Sequence, residues 1–317
     1  EQDSIGIEDL AANDIEAISF IYNIPLWLIN LWISEFGRDK TEDLCAWFNE
    51  QPKLTARINT ILIDIPQCLT MLNEQGWAVT QDSNYEDIIY INSHRGSLEK
   101  SEVFIKGYIT FMDKASMLVA RLVNPQPGEC ILDCCAAPGG KSIYMATLMD
   151  NVGSLMSCDI HEHKIELMNS NADRLGASIV HTKVQDATKL PDSWNSYFDR
   201  VLVDAPCSGL GILQKKLDMR WRKQESILSE LPPLQLAILE RAAMTVKEKG
   251  YLIYSTCTLN YKENEEVVEL FLQKHKEFSI IPVADDFPLK SNSGMITTYP
   301  PTDDMDGFFM VKMQRIS

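Results

Sequence analysis

The sequence predicts an α/β chain: a Rossmann-like, mostly parallel sheet closed by an antiparallel edge and preceded by a small α+β module. Three observations predict it. From residue 113 onward, short apolar runs alternate with stretches of helical length in a strand, helix, strand rhythm. The first of these strands runs through a tight turn, Pro138-Gly139-Gly140, directly into a helix. The tail from residue 278 carries three strand-like runs with little helix between them, as an antiparallel edge would.

Residues 1–50 read as a helical segment. Pro25 suits a helix start, Leu26, Ile29, Leu31, Ile33 and Phe36 favour one apolar face, Gly37 ends it, and 41–48 make a second short helix. Over 51–112 the pattern shifts to short alternating runs, as at 56–63. With a helix at 66–74 and strands at 77–80 and 88–91, this is a small α+β unit. The remainder, 113–317, forms the large α/β domain. Strands are predicted at 130–134, 154–158, 178–182, 200–204 and 251–255, with helices at 143–149, 161–175, 234–247 and 264–275. The tail adds strands at 278–282, 295–298 and 308–314. Such a sheet is covered on both faces and binds ligands at the carboxyl ends of its strands.

A chain of 317 residues suits two domains, and 45% apolar with 23% charged residues is ordinary for a globular protein. No apolar run reaches the roughly 18 to 20 residues of a membrane helix, since 18–32 is broken by Asn23, Pro25 and Asn30. No membrane span or signal peptide is read, and a start on Glu1 is compatible with a fragment. The eight cysteines form no C-x-x-C pair, which argues against zinc; no metal is expected. Most read as small buried hydrophobes of a reducing cytoplasm.

A net charge of −16 argues against broad, non-specific nucleic-acid binding, because each phosphate contact needs a Lys or Arg. One stretch departs from this: Lys215, Lys216, Arg220, Arg222 and Lys223 gather around Trp221. Its ordinary reading is a solvated loop face. Its position beside the strand ends favours a function.

Those strand ends collect the chemistry. After the first comes Cys135-Ala136-Ala137-Pro138-Gly139-Gly140-Lys141; after the second, Asp159; after the third, Asp186; after the fourth, Asp204-Ala205-Pro206-Cys207-Ser208-Gly209; after the fifth, Thr256-Cys257-Thr258. Three cofactors compete for the loop. A dinucleotide would want G-x-G-x-x-G, which is absent. A P-loop needs Gly where Cys135 stands, and Ala136-Ala137-Pro138 is too stiff to wrap a triphosphate. S-adenosylmethionine has a ribose, an adenine and a charged amino-acid end but no phosphate. It suits a glycine turn followed by successive acids.

The motifs from Cys135 to Lys141, from Asp204 to Gly209, and Ser255-Thr256-Cys257-Thr258 resemble, in order and spacing, the hallmarks of the RsmB/NSUN family of RNA cytosine-C5 methyltransferases. Lys164, Arg220-Trp221-Arg222, Gln235, Glu263-Asn264-Glu265 and Asp306-Gly307-Phe308-Phe309 match as well. The resemblance covers 114–313 and extends more loosely to 25–32 and 57–60. It implies a class I methyltransferase fold with a mostly parallel, seven-stranded sheet behind an α+β RNA-binding module.

The resemblance further implies S-adenosylmethionine held by residues 135–141, Asp159 on the ribose, Asp186 near the adenine, and Asp204. Cys257 would be the nucleophile and Cys207 the residue of product release, with Asp204 and Lys141 inside the site. Position adds some support, because Asn260 and Glu263 suit an N-cap and its partner, putting Cys257 ahead of a helix start. For Glu263 and Asn264 themselves, plain capping and surface solvation is the reading at least as strong as any function. Arg57 is expected to contact RNA, as are Lys215, Lys216, Arg220, Trp221, Arg222 and Lys223. The expected protein is a cytoplasmic monomer acting on structured RNA, ribosomal before transfer RNA. In the ribosomal branch an all-helical domain lies upstream, of which only the tail would precede Pro25. A P-loop-like NTPase and a non-catalytic RNA-binding protein are the readings from other classes.

Overall fold

The computed structural model describes residues 14–316 except 285, 290 and 292. Residues 1–13 of the expected helical segment lie outside the described residues. That segment otherwise consists of α1 (Asp14–Tyr22), α2 (Leu26–Phe36) and α3 (Arg38–Asn49). Pro25 precedes α2, and Gly37, at φ 82°, breaks the chain between α2 and α3. Leu28, Ile29, Trp32, Leu44 and Phe48 pack with Leu210, Leu213 and Leu259. The helical segment therefore buries its apolar face against the loops that carry Cys207 and Cys257.

The small module is β1 (Thr55–Ile58), α4 (Ile65–Glu74), β2 (Ala78–Gln81), β3 (Ile88–Ser93), α5 (Glu102–Ile105) and β4 (Ile109–Phe111). Its antiparallel sheet has the order β2-β3-β1-β4. The predicted run at 56–63 stops at Ile58, because Asn59 leaves the ladder and turns inward. Its buried side-chain amide donates to the carbonyls of Gly107 (2.9 Å) and Leu175 (2.8 Å), tying the module to the large domain.

Arg57 corrects an expectation. It is fully buried, with its guanidinium 4.9 Å from the Tyr144 ring centroid and Nη1 donating to Thr147 Oγ1 at 3.2 Å. It is an inter-domain strut and has no surface to offer RNA. Burial lowers its pKa to about 10. Beside it Asp87 accepts from Tyr144 Oη and from Arg121.

The large domain runs α6 (Lys114–Val123), β5 (Cys130–Asp133), α7 (Gly140–Leu148), β6 (Ser154–Asp159), α8 (Glu162–Arg174), β7 (Val180–Val184) and β8 (Phe198–Asp204). There follow α9 (Met219–Arg222), α10 (Ile227–Ala243), β9 (Val246–Thr256), α11 (Glu265–Lys274), β10 (Phe278–Ile280), β11 (Met295–Thr297), α12 (Pro300–Asp303) and β12 (Phe309–Arg315). The sheet order is β10-β12-β9-β8-β5-β6-β7, and β11 pairs β12 on the same side as β10. The main path has the seven strands expected, and the three-residue β11, at the strand predicted over 295–298, pairs β12 beside it as an eighth. β5 to β9 are mutually parallel and β12 runs against β9.

α10 begins and ends earlier than predicted. It contains Pro232 and Pro233 within its second turn, each of which removes one backbone N–H donor. The in-register pairs Asp133–Leu202, Asp159–Val184 and Asp204–Ser255 bring the carboxyl ends of five strands to one rim.

Candidate active site

The turn between β5 and α7 sets the floor of the site. Gly139 takes φ 98°, a left-handed conformation that glycine adopts without strain, and α7 starts at Gly140 with no side-chain cap. The first N–H groups of α7 thus have no side-chain cap. Beneath the turn, the buried Asp133 accepts from Ser142 Oγ at 2.6 Å. Burial, reinforced by Asp204, pushes its carboxyl up to about 7.

A cleft of about 590 Å³ opens over the strand ends, lined among others by Cys135, Ala137, Asp159, Asp186, Cys207 and Cys257. Ala136 packs away from it, against Ile165 and Met168. Pro138, Gly139 and Gly140 shape the turn without lining the cleft. Asp159 receives the His161 N–H at 3.0 Å and has Lys164 Nζ at 3.6 Å. Asp186 accepts the hydroxyl and backbone N–H of Thr188, which lower its pKa.

Lys141 crosses to the next strand end, where its Nζ donates to Asp204 Oδ2 at 2.7 Å while Ser255 Oγ donates to Oδ1 at 2.8 Å. Burial alone would lower the Lys141 pKa. Asp204 reverses that and leaves it above the ordinary lysine range, so the ammonium stays charged. It also lies 5.2 Å from the Phe308 ring centroid.

Two free thiols meet at the rim. Cys207 Sγ is 3.2 Å from Cys257 Sγ and accepts the Cys257 N–H at 3.3 Å. The hydrogen bond to the Cys257 sulfur, followed by burial, raises the Cys207 pKa well above that of an ordinary thiol. Cys207 is therefore held protonated.

Glu263 and Asn264 are not solvated, contrary to the expectation; both are buried. Glu263 accepts from Ser208 N (2.8 Å), Ser208 Oγ (2.5 Å), Gln235 Nε2 (2.9 Å) and Asn260 Nδ2 (2.9 Å). It thereby joins the loop of Cys207 to the loop of Cys257. Asn264 accepts from Thr256 Oγ1 at 2.5 Å and donates to the Thr258 carbonyl at 3.0 Å. Asn260 caps a single 3₁₀ turn, Tyr261–Glu263, and α11 begins only at Glu265. The glutamate that suited a capping box instead turns into the core. Gly211 completes the frame, since a Cβ there would lie 1.8 Å from the Gly307 carbonyl oxygen.

The basic stretch divides. Arg220 is buried, donating to Asn49 Oδ1 at 2.6 Å and to the Phe48 carbonyl at 2.5 Å. Its job is to fasten the helical segment, which corrects the RNA-contact expectation. Lys215, at the surface, pairs with Asp113 and with Asp306. Trp221, Lys216 and Arg222 are exposed, and Lys223 is half-buried. Arg222 pairs with Asp218 at 3.1 Å.

Residues 120–314 match the family model described as 16S rRNA methyltransferase RsmB/F. Residues 24–96 match that of the RsmF/B-like ferredoxin-like domain. The chain is similar to the probable ribosomal RNA small subunit methyltransferase B of Bacillus subtilis (strain 168), with 37% identity over 297 residues. This covers 92% of the chain and 66% of that relative's length. The crystal structure of PH0851 superposes with a TM-score of 0.89 at 31% identity, over 95% of this chain and 68% of that one. That of NSun6 from Pyrococcus horikoshii with SFG gives a TM-score of 0.84 at 21% identity, over 92% and 98%, a likeness of fold. With its nucleotide-type cleft, its paired thiols and a family model spanning most of the large domain, the chain belongs to the RsmB/F family of 16S rRNA methyltransferases.

Proposed function

We propose that the protein transfers a methyl group from S-adenosylmethionine to C5 of a cytosine in small-subunit ribosomal RNA, through a transient bond between Cys257 and C6. The observation that carries this reading is the 3.2 Å contact between two free thiols on the rim of an acid-lined cleft. The cleft suits the methyl donor. Uncapped N–H groups at the start of α7 fit its amino-acid carboxylate, Asp159 its ribose and Asp186 its adenine side. Cys135 walls the cleft where a phosphate-binding loop would need glycine. When bound, the cofactor supplies an electrophilic methyl group.

The protein's own residues do the rest. The Cys257 thiolate adds to C6, forming an S–C bond and moving the ring's electrons toward C5, which then accepts the methyl group. Asp204, steadied by Lys141 and Ser255, holds the base at its N3 edge. Transfer of the C5 proton to solvent and cleavage of the S–C bond restore the ring and return the Cys257 thiolate, leaving S-adenosylhomocysteine as the spent cofactor. Cys207, kept protonated beside that sulfur, assists release. Residues 51–112 are the RNA-binding module, 113–317 the methyltransferase domain, and 1–50 an N-terminal segment whose described helices, 14–49, support the catalytic loops. The protein acts as a cytoplasmic monomer.

Bisulfite sequencing of small-subunit rRNA incubated with the protein and the cofactor reads the product directly. One cytosine should resist conversion with the native chain and none with Cys257→Ala. Protection of a transfer RNA cytosine instead would move the substrate, and calorimetric binding of ATP in place of S-adenosylmethionine would overturn the cofactor.

A further inference from the structure

The segment that leaves the active site passes a second groove. Gly209, Ile212 and Met219 line the methyl-transfer cleft. On the same stretch of chain, Leu217, Arg220 and Trp221 line a neighbouring groove of about 510 Å³, completed by Phe48 and residues 49–52 at the end of α3. The Trp221 side chain stands 60% exposed and Leu217 59% exposed at its mouth, although apolar residues elsewhere on this stretch are packed. The buried Arg220 spans the groove to Asn49 and Phe48, and its Nε has no partner among the described residues.

The lining selects the kind of occupant. An indole and a proline, Trp221 and Pro52, offer flat apolar surface, while the exposed amide of Gln51 offers hydrogen bonds to a polar edge; that of Asn49 is committed to Arg220 and to the Tyr22 carbonyl. Glu50 shares the groove and would repel a phosphate. Apart from Arg220, which is bound to Asn49 and Phe48, the cations of this stretch, Lys216, Arg222 and Lys223, lie outside the lining. A flat ring with a polar edge fits inside, with its phosphates held at the rim. That is an unpaired nucleotide, because a base within a duplex has no free face to stack.

We propose that this groove is a subsite for an unpaired nucleobase flanking the target cytosine, stacked on Trp221. It rests on the RNA methyl-transfer reading above and adds that the helical segment, through residues 49–52, helps choose the sequence around the target. Trp221 is a binding residue and takes no part in the chemistry.

The test uses the full chain and a short labelled single-stranded oligoribonucleotide, with binding followed by fluorescence anisotropy at several salt concentrations. Trp221→Ala should weaken binding about tenfold or more with the salt slope unchanged, and Trp221→Phe should recover most of it. An oligomer of the same length lacking its bases should bind native and Trp221→Ala protein alike. Changing Lys216 or Lys223 to Ala should lower the slope. Binding by Trp221→Ala within twofold of native overturns the subsite and leaves the groove to a protein partner. A reduced slope for Trp221→Ala would make the contact one to phosphate and overturn it equally, as would failure of the native chain to bind RNA. Methyl transfer to 16S rRNA, measured in parallel, keeps the two readings apart. Tryptophan-dependent binding without methylation sinks the reaction and spares the groove, and methylation with no effect of Trp221→Ala does the reverse.

Discussion

The backbone N–H of Ser208 donates to the carboxylate of Glu263 across 2.8 Å, out of contact with solvent. Ser208 directly follows Cys207, and Glu263 also holds Asn260, in the loop after Cys257. One buried carboxylate thus sets the spacing of the two thiols. Glu263→Gln puts an NH2 group where only donors point and leaves one of them unpaired. Its stability in a urea melt should fall by about 1 to 3 kcal/mol. Single-turnover methyl transfer should slow at least tenfold, while S-adenosylmethionine affinity by calorimetry stays within twofold. A native rate in a destabilised variant would reduce Glu263 to a structural part.

Arg57 answers a different question. Its guanidinium is buried against Tyr144 and Thr147 of α7, and its Nε and Nη2 have no partner among the described residues. A buried charge with incomplete hydrogen bonding is replaceable by an apolar side chain of similar length. Arg57→Met should fold, melt close to the native temperature, and leave the salt dependence of RNA binding untouched. A slope lower by about one unit would return Arg57 to the RNA interface.

Glu35 gives the protein a pH dependence. Burial, opposed by the Tyr261 N–H and reinforced by Glu265 and Glu263, raises its carboxyl to about 7. Between the ordinary value near 4.5 and about 7 the native state binds the proton and the unfolded chain does not. Stability due to this group is therefore present below that window and is lost as pH rises through it. Glu35→Gln, a permanently neutral mimic, should match native stability at pH about 4 and exceed it at pH about 8. Equal melting temperatures at the higher pH would contradict the assignment.

The strand ends were legible because they are local: an apolar run followed by Asp or Cys identifies its own position. Asp159, Asp186, Asp204, Cys207 and Cys257 all reach the cleft the sequence assigns them to. What escaped were residues whose meaning depends on a partner far along the chain. Arg57 sits on a strand that looks half-exposed until α7 covers it. Arg220 belongs to a basic run until Phe48 and Asn49, brought by α3, accept its protons. Glu263 follows Asn260 at capping-box spacing, yet the turn there is 3₁₀ and aims the carboxylate at Ser208. Sequence spacing describes one turn of backbone, and these three are defined by packing.

The central claim is that Cys257 bonds to the base and Cys207 lets it go. Denaturing electrophoresis of each cysteine variant after incubation with labelled 16S rRNA and S-adenosylmethionine tests it most directly. Cys207→Ala should accumulate a protein–RNA adduct that survives denaturation, and Cys257→Ala, alone or combined with Cys207→Ala, should form none. Normal turnover by Cys207→Ala, or an adduct formed by Cys257→Ala, would contradict the account.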